Sequence, residues 1–337
     1  MRYAIGIPDF PSPLGEGHGE GNLKVLITGG GGFLGSRLAR ALKARDPKAH
    51  VTLLDMAFPP GLEREFNCVA GDVSSPAVIA RALEPDTDSI FHLASVVSGG
   101  AEADFDLGYR VNLDGMRALL EASRKLSKPP KFVFTSSVAA FGGKLPDVLD
   151  DSTTPTPQTS YGTQKVIGEY LVADWTRKGM LDGRSLRLPT IVVRPGKPNL
   201  AASSFASGII REPLNGVVAE CPVPDSTGVW ILSPKRVVEA FMHAHDLPGD
   251  AWPSSRVVNL PGITLTVREM IDAMGRVAGK EAVSRVKFVP DARIQAIVKT
   301  WPVRFRTERA LAMGFRADSD FESVVRGYLE SENVVPA

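Results

Sequence analysis

From Leu23 to Gly196, short apolar runs alternate with longer stretches in which apolar side chains recur at helical intervals. The runs "KVLIT" (24–28), "HVTLLD" (50–55), "FNCVAGDV" (66–73), "SIFHLAS" (89–95) and "KFVFTSS" (131–137) predict five buried strands. "GSRLARALKAR" (35–45) and "AVIARALE" read as helices between them. Two longer helices are predicted, over 104–126 up to the breaker "SKPP" and over 160–179 after the Pro/Thr-rich loop "DDSTTPTPQT". "SLRLPTIVVRPG" (185–196) predicts a sixth strand. Strand and helix in strict alternation imply βαβ units, hence an α/β fold with a doubly wound parallel sheet.

Beyond Gly196 the alternation fades into shorter elements rich in proline. The pattern predicts a smaller substrate-covering region over 197–337, with helices at Pro234–His245, at Thr266–Val277 and near the C-terminus. Strand "RVVNLPG" (256–262) is expected beside the main sheet. Residues 1–22 carry Gly, Pro and charge without an apolar run, and are expected to form a disordered extension to a dinucleotide-binding domain over 23–196.

Composition narrows the partners. With 39 basic against 38 acidic residues, the formal charge of +1 supplies no field to hold a polyanion, so a small molecule is expected and nucleic acid is not. No window approaches the roughly 18 uninterrupted apolar residues of a membrane span, and a cytoplasmic location is the default. Cys68 and Cys221 match no metal or redox spacing and read as reduced thiols. His243 and His245 fall on different helix faces without a third ligand, so no metal is expected. His92 reads as a packing residue beside the site. Trp175, Trp230, Trp252 and Trp301 are too scattered to stack nucleic-acid bases.

The glycines of "TGGGGFLG" carry the first chemistry. Glycine is costly inside regular structure, so a cluster between a strand and a helix needs a reason. A dinucleotide pyrophosphate resting on a helix N-terminus supplies one. Gly29 would serve the turn, Gly32 the phosphate approach and Gly35 the packing of helix on strand, with Phe33 and Leu34 opening the first turn. Asp55, closing the second strand, is placed to accept hydrogen bonds from a ribose and to repel a 2′-phosphate, which predicts NAD over NADP. Asp72 and Val73 after the third strand are placed to hold an adenine.

Tyr161 and Lys165, four apart at the start of a helix, share a face. An ammonium there favours a phenolate, so Tyr161 is expected to titrate below its ordinary value and to take a proton from an alcohol as its carbon is oxidised. Ser137, ending the fifth strand, faces the same crevice and can orient that alcohol. The alternative for each is a solvated or structural side chain.

Taken in order, "TGGGGFLG", the acidic strand end, "GDV", "HLAS", "TSSVAAFG" and "YGTQK" resemble the extended short-chain dehydrogenase/reductase family, which includes nucleotide-sugar epimerases and dehydratases. The likeness covers about 23–330. It implies a catalytic set of Ser137, Tyr161 and Lys165, with Asn112 helping to hold the lysine through water. It also implies that Lys165 binds the nicotinamide ribose, that Leu93, Ala94 and Ser95 lie along the cofactor, that Pro195 lines the nicotinamide, and that the chain is a homodimer through its two long helices.

Two departures bear on the substrate. "VVRPGKPNLAASSF" (192–205) and "WILSPKRVVEAF" (230–241) lack the groups with which nucleotide-sugar enzymes grip a UDP moiety. With "IIREPLNG" (209–216) they resemble a branch of the family that oxidises C2 of a small sugar acid. Such a substrate needs a carboxylate partner and several hydroxyl partners, and Arg194, Lys197, Asn199, Ser203 and Ser98 are the candidates, Arg194 as a bidentate clamp. The competing readings are a nucleotide-sugar epimerase that retains its cofactor, and a noncatalytic NAD sensor.

Overall fold

The computed structural model describes residues 22–196 and 202–335; the expected N-terminal extension, up to residue 21, lies outside them. Seven parallel strands form the central sheet in the order β10-β6-β5-β4-β1-β2-β3. These are β1 (Lys24–Thr28), β2 (His50–Asp55), β3 (Asn67–Ala70), β4 (Ser89–His92), β5 (Lys131–Ser137), β6 (Asp182–Leu188) and β10 (Val257–Asn259). The doubly wound α/β architecture expected from the alternation is the one observed.

The inner strands β1, β2, β4 and β5 are buried on both faces, which is why each carries a short apolar run. Val25, Ile27, Leu53, Phe91 and Val133 face one side, packed with Leu38 of helix α1 (Phe33–Arg45). Leu26, Leu54, Ile90, Phe132 and Phe134 face the other, with Ile79 of α2 (Pro76–Ala82). After β4 comes α3 (Ser98–Ala103). The stretch predicted as one helix over 104–126 runs as α4 (Phe105–Tyr109), a π-turn over Arg110–Asp114 and α5 (Gly115–Ser123). The second long helix is α6 (Ser160–Arg177), whose N-terminus is capped by the Thr159 side chain accepting from Gly162 N.

The sixth strand departs from expectation. β6 starts at Asp182 and leaves the sheet after Leu188, because Pro189 has no N–H to continue the ladder. The chain then forms β7 (Thr190–Ile191), which joins β9 (Gly228–Leu232) and β11 (Ile263–Thr266) in a separate three-stranded sheet. Strand β8 (Ala219–Cys221) pairs with β12 (Val286–Phe288). Around these lie α7 (Ser204–Leu214), α9 (Val267–Ala278) and the C-terminal helix Phe321–Glu332, sharing a core of Ile209, Ile231, Met270 and Val325. Helix α8 (Pro234–Asp246) instead packs on the main sheet, with Phe241 in the first core.

Candidate active site

The carboxyl ends of β1, β2, β4 and β5 bring the glycine loop, Asp55, the segment after His92 and Ser137 to one edge, where α6 begins. Gly29 adopts φ +72°, and a Cβ there would lie 2.7 Å from Ala94 N, so the loop abuts the "HLAS" segment. A Cβ on Gly35 would sit 2.2 Å from Gly29 O, so α1 leans directly on the loop. Gly32 caps α1 without a side chain, which leaves the first-turn N–H groups of Phe33 and Leu34 facing the crevice. That cradle fits a pyrophosphate.

Asp55 is part-exposed at the strand end, its Oδ2 accepting from Gly31 N at 3.0 Å and its Oδ1 from Met56 N at 2.7 Å. Both oxygens keep a lone pair outward, as ribose hydroxyls require. Asp72 accepts from Ser74 N and Oγ and pairs with Arg110 at 2.6 Å, so its carboxylate is more engaged than the sequence suggested; Val73 is buried behind it. Leu93 N donates to Thr28 O, Ala94 N to Thr28 Oγ1, and Ser95 Oγ to Asn112.

The Asn112 side chain is fully used. Its Oδ1 accepts from Ser95 Oγ and Val96 N, and its Nδ2 donates to Val96 O and Gln164 Oε1. The side chain thereby ties the loop after β4 to α6. Ser98 opens α3, and Glu102 of that helix accepts from Ser160 N, so α3 lies against the start of α6.

Ser137 Oγ accepts from Ala139 N at 3.1 Å, and Ser137 is near enough to Tyr161 to favour its phenolate. Lys165, 3% exposed, holds its Nζ 5.3 Å from the centre of the Tyr161 ring and 5.0 Å from that of Phe134. Among the described residues no hydrogen bond or ion pair reaches that Nζ, a state that suits a ligand hydroxyl. Desolvation drives both groups toward neutrality. Burial pushes Tyr161 up to about 12 against the Ser137 hydroxyl and the Arg194 charge, and pushes Lys165 down to about 7 against the charge of Glu169. The lysine does not lower the tyrosine as the spacing alone implied; Ser137 and Arg194 do. His92, buried and bonded to Thr28 Oγ1 at 2.7 Å, is pushed down to about 3 by burial and by Lys165, and stays neutral.

Arg194 leaves β7 toward the same place. Its backbone N–H donates to Ser207 Oγ, its carbonyl accepts from Arg211 Nη1 at 2.8 Å, and its Nη2 lies 3.5 Å from Ser203 Oγ. Arg211 is paired with Glu212, whereas no carboxylate reaches the Arg194 guanidinium among the described residues. Burial and the Arg211 charge lower Arg194, and Tyr161 opposes them. Pro195 follows it in the loop; Lys197 and Asn199 lie outside the described residues.

Four residues with a bearing on the site escaped the sequence: Ser136, Glu169, Arg187 and Arg211. Glu169 was the most accessible, one helical turn beyond Lys165 on the same face. Arg187 is one of two arginines in β6, with Arg184, and nothing in the strand's pattern distinguishes the one that reaches the site.

An uncapped glycine-loop helix, an acidic strand end and a Ser/Tyr/Lys cluster on one edge of a doubly wound sheet define a dinucleotide-dependent oxidoreductase. The chain belongs to the NAD dependent epimerase/dehydratase family, whose model matches residues 25–247. It is 54% identical to a D-erythronate dehydrogenase of Cupriavidus necator over 91% of this chain and 98% of that protein. A D-erythronate dehydrogenase of Haemophilus influenzae is 44% identical over 91% of this chain and 99% of its own length. Among solved structures, a nucleoside-diphosphate-sugar epimerase from Agrobacterium tumefaciens superposes with a TM-score of 0.87 at 39% identity, covering 96% of this chain and 98% of that one.

Proposed function

We propose that the chain oxidises D-erythronate at C2 to the 2-keto acid with NAD as acceptor. The observation that carries this reading is the half-buried Arg194 guanidinium, close enough to Tyr161 to favour its phenolate and, among the described residues, without a carboxylate partner. A small sugar acid brings the missing anion, and two relatives similar over nearly their full length bear the name of that activity.

The chain's groups divide the work. The first-turn N–H groups of α1 would hold the pyrophosphate, Asp55 the adenosine ribose, and Lys165 the nicotinamide ribose. Asp72, Val73, Leu93, Ala94, Ser95 and Pro195 complete that wall. When bound, NAD supplies the two-electron acceptor for the C2 hydrogen. Tyr161 Oη takes the proton from the C2 hydroxyl, and Ser137 Oγ holds that oxygen in line and stabilises its developing charge. Arg194 clamps the carboxylate, with Ser203, Ser98 and, in the loop beyond Gly196, Lys197 and Asn199 toward the remaining hydroxyls. Asn112 keeps the floor of the site in place.

Four- and five-carbon sugar acids offered with NAD, alongside UDP-sugars, test the proposal through the near-ultraviolet absorbance of reduced nicotinamide. Growth of that band with D-erythronate supports it. The structural likeness to an epimerase makes interconversion of UDP-sugars without any growth the competing result. The wider reading assigns NAD binding to 23–196, substrate binding to 197–337, a cytoplasmic location, and a homodimer formed by α4, α5 and α6, where Phe105 and Tyr170 stand exposed.

A further inference from the structure

Lys165 and Glu169 lie one turn apart on α6, a spacing that puts their Cβ atoms about 6 Å from each other in a helix. Glu169 is 4% exposed and bound on both oxygens by Arg187 of β6, at 2.7 and 2.6 Å, and by Ser136 Oγ of β5. Arg187, 8% exposed, lies over the Phe141 ring at 4.8 Å and extends to Asn259 of β10 at 3.5 Å. Desolvating two charges offsets much of their attraction, so an apolar pair of similar volume would join β6 to α6 at least as firmly. The ion pair therefore calls for a reason other than cohesion.

The charged and titratable groups around Lys165 supply it. Among the described residues, α6 contributes Tyr161 and Glu169 and β4 the neutral His92, while β5 presents the uncharged Phe134 and Ser136. Arg187 of β6 stands behind Glu169, and Arg194 beyond Tyr161. Glu169 is the one negative charge in that set. Against it stands the desolvation of a buried amine, which favours the neutral form.

We infer that Glu169, clamped by Arg187 and Ser136, is a positioning residue that raises the share of singly protonated pairs in which Lys165 is the ammonium and Tyr161 the phenolate. The inference rests on the reading of Tyr161 as the proton acceptor. Once the lysine–tyrosine pair has lost one proton, the other resides on the amine, leaving a phenolate that can act, or on the phenol, leaving a site that cannot. Glu169 weights the first arrangement. Its removal lowers the active share at every pH where the pair is singly protonated. Where the pair holds both protons, the lysine is charged with or without Glu169, and the tyrosine's own acidity sets the rate.

The test is kcat/KM for D-erythronate against pH at saturating NAD, for the wild type and Glu169→Gln. Below the midpoint of the rising limb the two should coincide. Above it, the variant should level off about tenfold lower, with its midpoint about one pH unit lower, for one charge one helical turn away at an intermediate effective dielectric. The Lys165 Cε resonance of 13C-lysine-labelled protein without substrate, identified by its loss in Lys165→Met, should titrate lower by the same amount. A purely structural role would scale the whole profile down with its midpoint unmoved and leave the resonance where it was; that result overturns the inference. Because glutamine leaves Arg187 unpaired, the Glu169→Met/Arg187→Met variant provides a second arm, in which the resonance should again move down and an unmoved one is decisive against us. If wild-type protein fails to oxidise D-erythronate, the substrate reading falls, while the lysine titration still decides this one.

Discussion

Replacing Arg194 with methionine isolates the recognition of the substrate's charge. The backbone should hold, since Ser207 and Arg211 fix it through the main-chain N–H and carbonyl. The side chain loses a contact that, among the described residues, no protein carboxylate shares. A hydrogen bond to a charged partner contributes about 1.5–3 kcal/mol, and a bidentate guanidinium–carboxylate pair in a half-buried site falls near the top of that range. At about 1.4 kcal/mol per decade, this predicts a fall in kcat/KM for D-erythronate of about two orders of magnitude. A second loss comes from Tyr161, whose hydroxyl Arg194 holds down; that loss applies to any substrate. The two are separated with the primary amide of D-erythronate, which has the same shape without the charge. Wild-type enzyme should prefer the acid to the amide by about a hundredfold, and the variant should show little preference. The readout is reduced nicotinamide, or competitive inhibition where the amide does not turn over. An acid-over-amide ratio equal in both enzymes would remove Arg194 from carboxylate binding and with it the main structural support for a sugar acid.

Gly35→Ala places a methyl 2.2 Å from Gly29 O, so α1 must shift; a stability loss of about 1–3 kcal/mol is expected together with weakened NAD binding, checked by thermal melting and calorimetric titration, and an unchanged NAD affinity would contradict the pyrophosphate cradle. Tyr161→Phe should abolish turnover while NAD affinity stays within about twofold, because the ring that packs beside Lys165 remains. The wild-type rate should rise with pH through about 7, the value to which burial brings Lys165, since loss of the pair's first proton generates the active form; a limb centred near the ordinary lysine value would show that the lysine is solvated. Turnover with NADP at a rate equal to that with NAD would refute the role of Asp55. Light scattering that reports a monomer at micromolar concentration would remove the proposed dimer.

Local spacing accounts for what could be read from the chain alone. The glycine loop, the acidic strand end and the Tyr161–Lys165 pair each depend on residues within a turn or two of one another, so their geometry follows from helix and strand periods. The sixth strand shows the first limit: its apolar run continues past Pro189, but the proline ends the ladder and sends Ile191 to pair with Leu232 in another sheet. Asn112 shows a second, because a π-turn and a loop from β4 together consume its side chain, and neither is visible in a hydropathy pattern.

Electrostatics marks the deeper limit, and it changes how the site should be understood. A lysine four residues after a tyrosine suggests that the amine acidifies the phenol, yet both are stripped of water and each drifts toward its neutral form. What opposes the drift comes from outside the pair: Ser137 from the end of β5, Arg194 from the loop after β7, and Glu169 one turn along α6, held by Arg187 of β6. On the proposed reading, proton transfer at Tyr161 is therefore set by the packing of β5, β6 and the loop after β7 against one helix, and the motif supplies only the tyrosine and the lysine. Substitutions on β6 that touch neither substrate nor cofactor should then move the pH profile, while substitutions on the exposed face of α6 should not.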